Sequence, residues 1–183
     1  MNLSALSDSL VLFENRGRLL ESLDSLLQTA NVPADVIGGI ALGFYNYVRN
    51  TEDIDILIQK SDYDTVANAL VAKDAVWLGK ENKFSWLGYT IQICCGGQKI
   101  RDTEFPEPAN TTPGLKPVSL NRLLAMKVEG GLNQFRHRAD FIELVKRNKV
   151  GSEVFETEVL PLLSPKARRT AIALWNKAQK EMG

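Results

Sequence analysis

The sequence has little histidine, little cysteine and no excess of either charge. A single histidine, His137, and two adjacent cysteines, Cys94 and Cys95, among 183 residues leave no cysteine/histidine ligand set for zinc and no spacing for an ordinary structural disulfide. The cysteines read as small buried hydrophobes. Lys+Arg and Asp+Glu both number 22, so no global field exists to hold a nucleic-acid backbone or an anionic membrane, and any such binding is local. No stretch approaches the roughly 20 apolar residues that cross a bilayer. The start, MNLSALSDSLVLFENRG, lacks the basic opening and continuous apolar core of a signal peptide. The expectation is a cytoplasmic protein without a membrane partner, folded as one compact unit over residues 1–183.

Hydrophobic periodicity divides the chain. Leucines from Ser4 to Thr29 recur at helical spacing with an interruption near Gly17, which predicts one helix or two. DVIGGIAL then reads as a short buried strand ending in a Gly-Gly turn, followed by a short helix from Ala41 to Tyr47 and a strand from Asp53 to Gln59. Ser61-Asp62 precedes a helix with Val66, Leu70 and Val71 on one face. Strands at Val76–Leu78, Lys83–Trp86 and Tyr89–Cys95 predict a mixed sheet with antiparallel members. The segment RDTEFPEPANTTPGLKP, with four prolines, reads as a loop crossing the sheet edge or covering the site. Beyond it the texture is helical: a helix capped by Ser119 to about Glu129, a second over Arg136–Lys146 with Phe141, Leu144 and Val145 inward, and a third opened by Ser164-Pro165 and running through Trp175. The fold class is α+β, a mixed β-sheet flanked by helices, with its core at about 31–105 and a helical portion at about 117–183.

The chemistry concentrates between residues 38 and 55. Side chains alternate faces along a strand, so Asp53 and Asp55 point together while Ile54, Ile56 and Ile58 point into the core. Two such carboxylates repel unless a cation lies between them or one stays protonated, and hard divalent ions favour oxygen ligands. Gly38-Gly39 lets a phosphate approach the backbone, and a helix start behind it offers free N–H groups. Phosphate beside magnesium implies a nucleotide.

Ile37-Gly38-Gly39, a gap of thirteen residues from Ile40 to Glu52, and Asp53-Ile54-Asp55-Ile56 resemble the signature of the nucleotidyltransferase superfamily. The later run PVSLNRLLAMKVEGG followed by RHRADFIELV is similar to the region after the sheet in minimal and AbiEii-type nucleotidyltransferases. The resemblance covers roughly Asp35 to Lys146. It implies a nucleotidyltransferase-like fold in which Asp53 and Asp55 are catalytic and hold magnesium. Gly38 and Gly39 would cradle the triphosphate, Arg49 and Thr51 would precede the acids at the site, and Arg49 with Lys127 would neutralise phosphate charge. Lys127 reads equally as a solvated helix lysine. Arg136, Arg138 and Asp140 form either a phosphate-facing cluster or a structural polar network, and His137 reads as a surface histidine.

The superfamily pattern places a third carboxylate in an apolar-acid-apolar triplet on a later strand. Here that triplet is Ile91-Gln92-Ile93, and an amide supplies neither a base nor a negative charge. Glu81, Asp102 and Glu104 are the acids near enough in sequence to replace it. Two functions follow. The first is magnesium-dependent transfer of a nucleoside monophosphate from a nucleoside triphosphate to a hydroxyl, toxin-like with an RNA or protein acceptor and an antitoxin partner, or with an aminoglycoside acceptor by fold analogy. The alternative is a catalytically silent nucleotide-binding or regulatory module of the same fold.

Overall fold

The computed structural model describes residues 17–51, 53–79, 82–100, 103–131 and 134–183. Helix α1 covers 17–29 and buries Leu19, Leu23, Leu26 and Leu27 at helical spacing. The part of the expected N-terminal helix before Gly17 lies outside the described residues. Strand β1 (Pro33–Ile37) leads into a short helix, α2 (Gly38–Ala41), and a 3₁₀ turn at Leu42–Tyr45. The helix expected at Ala41–Tyr47 therefore starts at the Gly-Gly pair itself. It stops at Asn46, whose φ of 60° breaks helical geometry.

Strand β2 (Asp53–Ile58), helix α3 (Tyr63–Val71), and strands β3 (Val76–Trp77), β4 (Lys83–Trp86) and β5 (Tyr89–Cys95) follow close to expectation. Val66 and Leu70 are buried, but Val71 is exposed, because it lies a further 100° round the helix at its last residue. Strands β6 (Lys99–Ile100) and β7 (Thr103–Glu104) form a separate ribbon.

The main sheet has the order β3-β4-β5-β2-β1-β8. Its last member, β8 (Gly114–Pro117), pairs parallel with β1, so the sheet extends to residue 117 and the proline-rich segment contributes strands as well as loop. The anchor is Asp35, a buried carboxylate on β1 that accepts hydrogen bonds from the N–H groups of Ala109 at 2.7 Å and Asn110 at 3.2 Å. The Asn110 amide donates in turn to the carbonyls of Ala34 and Gly114.

After the sheet come α4 (Leu120–Glu129), α5 (Phe135–Arg147), α6 (Ser152–Val154), which passes through a π-turn at Phe155–Val159, and α7 (Pro165–Met182). Ser164 caps α7 by accepting from the Ala167 N–H. The helix runs past Trp175, whose ring stacks on Phe155 with centroids 5.2 Å apart.

Two cores result. Ile54, Ile56 and Ile58 pack with Phe84, Ile91 and Ile93 beneath α1 and α3, while Leu57 and Cys94 join the helices α4, α5 and α7. The protein is thus a mixed α and β fold, a six-stranded mixed sheet flanked by helices. Among the described residues, no helix is long and apolar enough to cross a membrane.

Candidate functional site

Asp53 and Asp55 alternate with buried isoleucines along β2, so both carboxylates stand on the face that the C-terminal helices cover further along the sheet. Antiparallel pairing sets Ile37 of β1 opposite Asp55, and the chain turns at once through Gly38. There φ is +69°, and a Cβ would fall 1.9 Å from the Asp55 Oδ2. The left-handed backbone and the carboxylate's approach both require glycine. A Cβ on Gly39 would fall 2.7 Å from the Thr51 hydroxyl. The Gly-Gly pair therefore lets Thr51, in the loop before β2, and Asp55 of β2 close on the start of α2, which carries no side-chain cap.

On the other side of β2 the neighbour is β5, in parallel register, with Gln92 beside Asp55. Beyond β5, the antiparallel β4 sets Lys83 opposite Gln92. Directly paired residues share a face, so Lys83, Gln92 and Asp55 form one row across three strands. The Lys83 ammonium reaches Asp53, with Nζ 3.4 Å from Oδ2. Burial, and next the Asp53 charge, push the Asp55 carboxyl up to about 6, against the pull of Lys127, Lys83 and Arg49.

Lys127 and Arg49 meet on one carboxylate. Asp140 of α5 is 1% exposed and Lys127 of α4 is 4% exposed, and the Lys127 Nζ lies 2.8 Å from Oδ2. Arg49 donates to both Asp140 oxygens, from Nε at 3.0 Å and Nη2 at 3.2 Å, and from Nη1 to the Asn50 carbonyl at 3.2 Å. Burial moves the Lys127 ammonium below the ordinary lysine range, while the Asp140 charge and hydrogen bond hold its proton. Lys127 is thus a buried, paired cation and not a solvated helix lysine. The cluster leaves one surplus positive charge facing Asp55.

Beside Asp53 opens a cleft of about 350 Å³ lined by Asn50, Thr51, Asp53 and Arg136. Arg136 donates to the Asn50 carbonyl at 2.9 Å, whereas Arg138 donates to the Gly131 carbonyl at 3.1 Å. Arg136 and Arg138 thus bond to backbone carbonyls, and Asp140 to Arg49 and Lys127. His137 is half-buried rather than superficial. Burial, then the neighbouring Lys127 charge, lowers it to about 4.

The structure thus brings together Gly38, Gly39, Arg49, Thr51, Asp53, Asp55, Gln92 and Lys127. Sequence reading did not include Lys83. Gly88 between two strand-like runs was its sequence signal; the register that sets Lys83 opposite Gln92 depends on Leu87 and Gly88 both taking positive φ, which a leucine disfavours. Glu104 sits exposed on the separate ribbon, with its carboxylate 3.6 Å from Lys99; Glu81 and Asp102 lie outside the described residues. Among the described residues, no three His, Cys, Asp or Glu side chains converge on a metal position. A magnesium ion is commonly held by one or two carboxylates with phosphate and water oxygens completing its shell. Among the described residues, the donor set fits one such ion shared with a triphosphate and does not fit a second.

No protein-family model matches the chain, and no curated protein sequence does. Solved structures do. The solution structure of the antibiotic-resistance factor ANT(2'')-Ia, described as having substrate-regulated conformation dynamics, superposes with a TM-score of 0.58 at 10% identity over 87% of this chain and 96% of that one. A crystal structure of ANT(2'')-Ia in complex with adenylyl-2''-tobramycin superposes with a TM-score of 0.56 at 9% identity over 91% and 98%. The chain shares with them a nucleotidyltransferase-like fold.

Proposed function

We propose that this protein binds a nucleoside triphosphate with one magnesium ion and transfers its nucleoside monophosphate to a hydroxyl acceptor. The observation that carries the reading is the closure of Gly38 onto Asp55, which fixes an acid pair on one face of β2 directly beside the start of α2. Asp53 and Asp55 would hold the ion, and the ion would screen the triphosphate charge as pyrophosphate leaves. Gly38 and Gly39 would present backbone N–H groups to the phosphates, with Thr51 at the cleft wall. Arg49 and Lys127 would act through the positive surplus of their shared ion pair, since Asp140 already takes their hydrogen bonds.

Calorimetry with ATP, GTP, CTP and UTP in magnesium tests the binding step. Wild type is expected to bind at least one of them, and Asp53→Asn to bind it at least about tenfold more weakly; binding indifferent to Asp53 would sink the reading. Labelled-nucleotide transfer then identifies the acceptor among total tRNA, protein hydroxyls and aminoglycosides. The adenylyl-tobramycin complex of a structural neighbour motivates the last of these, and the AbiEii-type resemblance, with its toxin role and antitoxin partner, motivates the first two.

A second reading rests on Gln92. Its register beside Asp55 puts an uncharged amide where a third acid would complete the set, which favours a nucleotide-binding module without turnover. Transfer activity that appears only in Gln92→Asp would select this reading, and wild-type transfer would exclude it.

A further inference from the structure

Resting on the nucleotide-binding reading, we infer that the site carries its second cation as a side chain: the Lys83 ammonium stands where a two-metal site would hold its second divalent ion. The row Lys83, Gln92, Asp55 runs across β4, β5 and β2 on one face, and Lys83 turns its charge onto Asp53. Paired divalent ions about 3.5 to 4 Å apart repel strongly and need several shared carboxylates to hold them. Here only Asp53 and Asp55 are available among the described residues, and one of them is already engaged by a cation.

The charge count makes the substitution quantitative. A carboxylate at position 92 with a neutral residue at position 83 would give the face a charge of minus three. Gln92 with Lys83 gives minus one. The two arrangements differ by two positive charges, the charge of one divalent ion. The second cluster, Asp140 with Arg49 and Lys127, brings these six ionised groups to zero, and Arg136 in the cleft wall adds one further positive charge. One magnesium ion arriving with a triphosphate is then tolerated, whereas a second would meet Lys83 at close range with no further acid among the described residues to offset it. The 3.4 Å separation of Lys83 and Asp53, long for a hydrogen bond, leaves the Asp53 oxygens with acceptor capacity for that one ion. Lys83 is thus a positioning residue that sets metal stoichiometry at the acid pair.

Manganese retained per chain, read by electron paramagnetic resonance in an equimolar mixture of the α,β-methylene analogues of ATP, GTP, CTP and UTP, tests the inference. Wild type and Lys83→Arg are expected to retain one ion per chain, and Lys83→Met/Gln92→Asp to retain two. Two ions in wild type, or one in the double variant, would overturn it. If wild type retains no nucleotide, the nucleotide-binding reading itself falls, and the lysine's role is decided by manganese alone. Lys83→Met should then bind Mn²⁺ at least about tenfold more tightly than wild type, since a like charge has been removed, and unchanged affinity would overturn the inference. Lys83→Gln repeats each measurement should the methionine variant unfold, with the same two outcomes.

Discussion

Asp55 is the residue whose surroundings are most exacting. Gly38 leaves no room for a Cβ above its carboxylate, so Gly38→Ala must both distort a φ of +69° and push the acid aside. A loss of about 2 to 4 kcal/mol is expected, checked by urea unfolding, together with loss of triphosphate binding. The Asp55 carboxyl titrates at about 6 in the fold, against an ordinary value of 3.8. Between those values the folded chain holds a proton that the unfolded chain has released. Its contribution to stability is therefore complete below about pH 4 and is lost as pH rises through about 6. His137, lowered from 6.5 to about 4, works the other way, losing its contribution as pH falls through the same range. Melting temperatures of metal-free wild type and Asp55→Asn separate the two: the variant should gain on wild type steadily from pH 4 to 6.5. A constant difference across that range would contradict the shift.

At the scale of elements, one carboxylate ties three pieces of chain together. Asp140 on α5 holds Lys127 of α4 and Arg49 of the loop before β2. Removing the acid strands two cations, one of them nearly fully buried, whereas removing Lys127 leaves Asp140 still paired by both Arg49 bonds. Asp140→Ala should cost about 3 to 5 kcal/mol, while Lys127→Met should cost about 1 to 2 kcal/mol because it leaves no buried charge alone. Equal losses in denaturant titrations would show that the pairing is not shared in this way. This contact also explains why helices so far along the sequence bear on the acid pair, since they deliver the charge that moderates Asp55.

For the whole molecule, one sheet separates two cores. Cys94 belongs to one and Cys95 to the other, as adjacent residues of a doubly covered strand must. Both thiols are buried and free, and burial raises both above the ordinary cysteine range. Native protein is expected to be inert to Ellman's reagent for as long as it stays folded, and to release two equivalents per chain in guanidinium. One thiol reacting without unfolding would mean that one layer of helices opens independently of the other.

Local pattern was enough for much of this. The period-two alternation of Asp53 to Ile58 determined that the two acids share a face, because side-chain direction along a strand depends on neighbouring residues alone. Ser164-Pro165 marked a helix start by its own capping chemistry. What lay beyond reach depended on residues distant in sequence. That β8 completes the sheet follows from Asp35 accepting bonds from a loop 74 residues away, and proline and glycine content alone gave no sign of it. Whether Lys127 was solvated or buried depended on a partner 13 residues on, and Arg49 found the same acid across 91 residues. Only the tertiary structure decided these pairings, and the reach of Lys83 to Asp53. Charges are matched by burial and by strand order, which a periodic pattern does not encode.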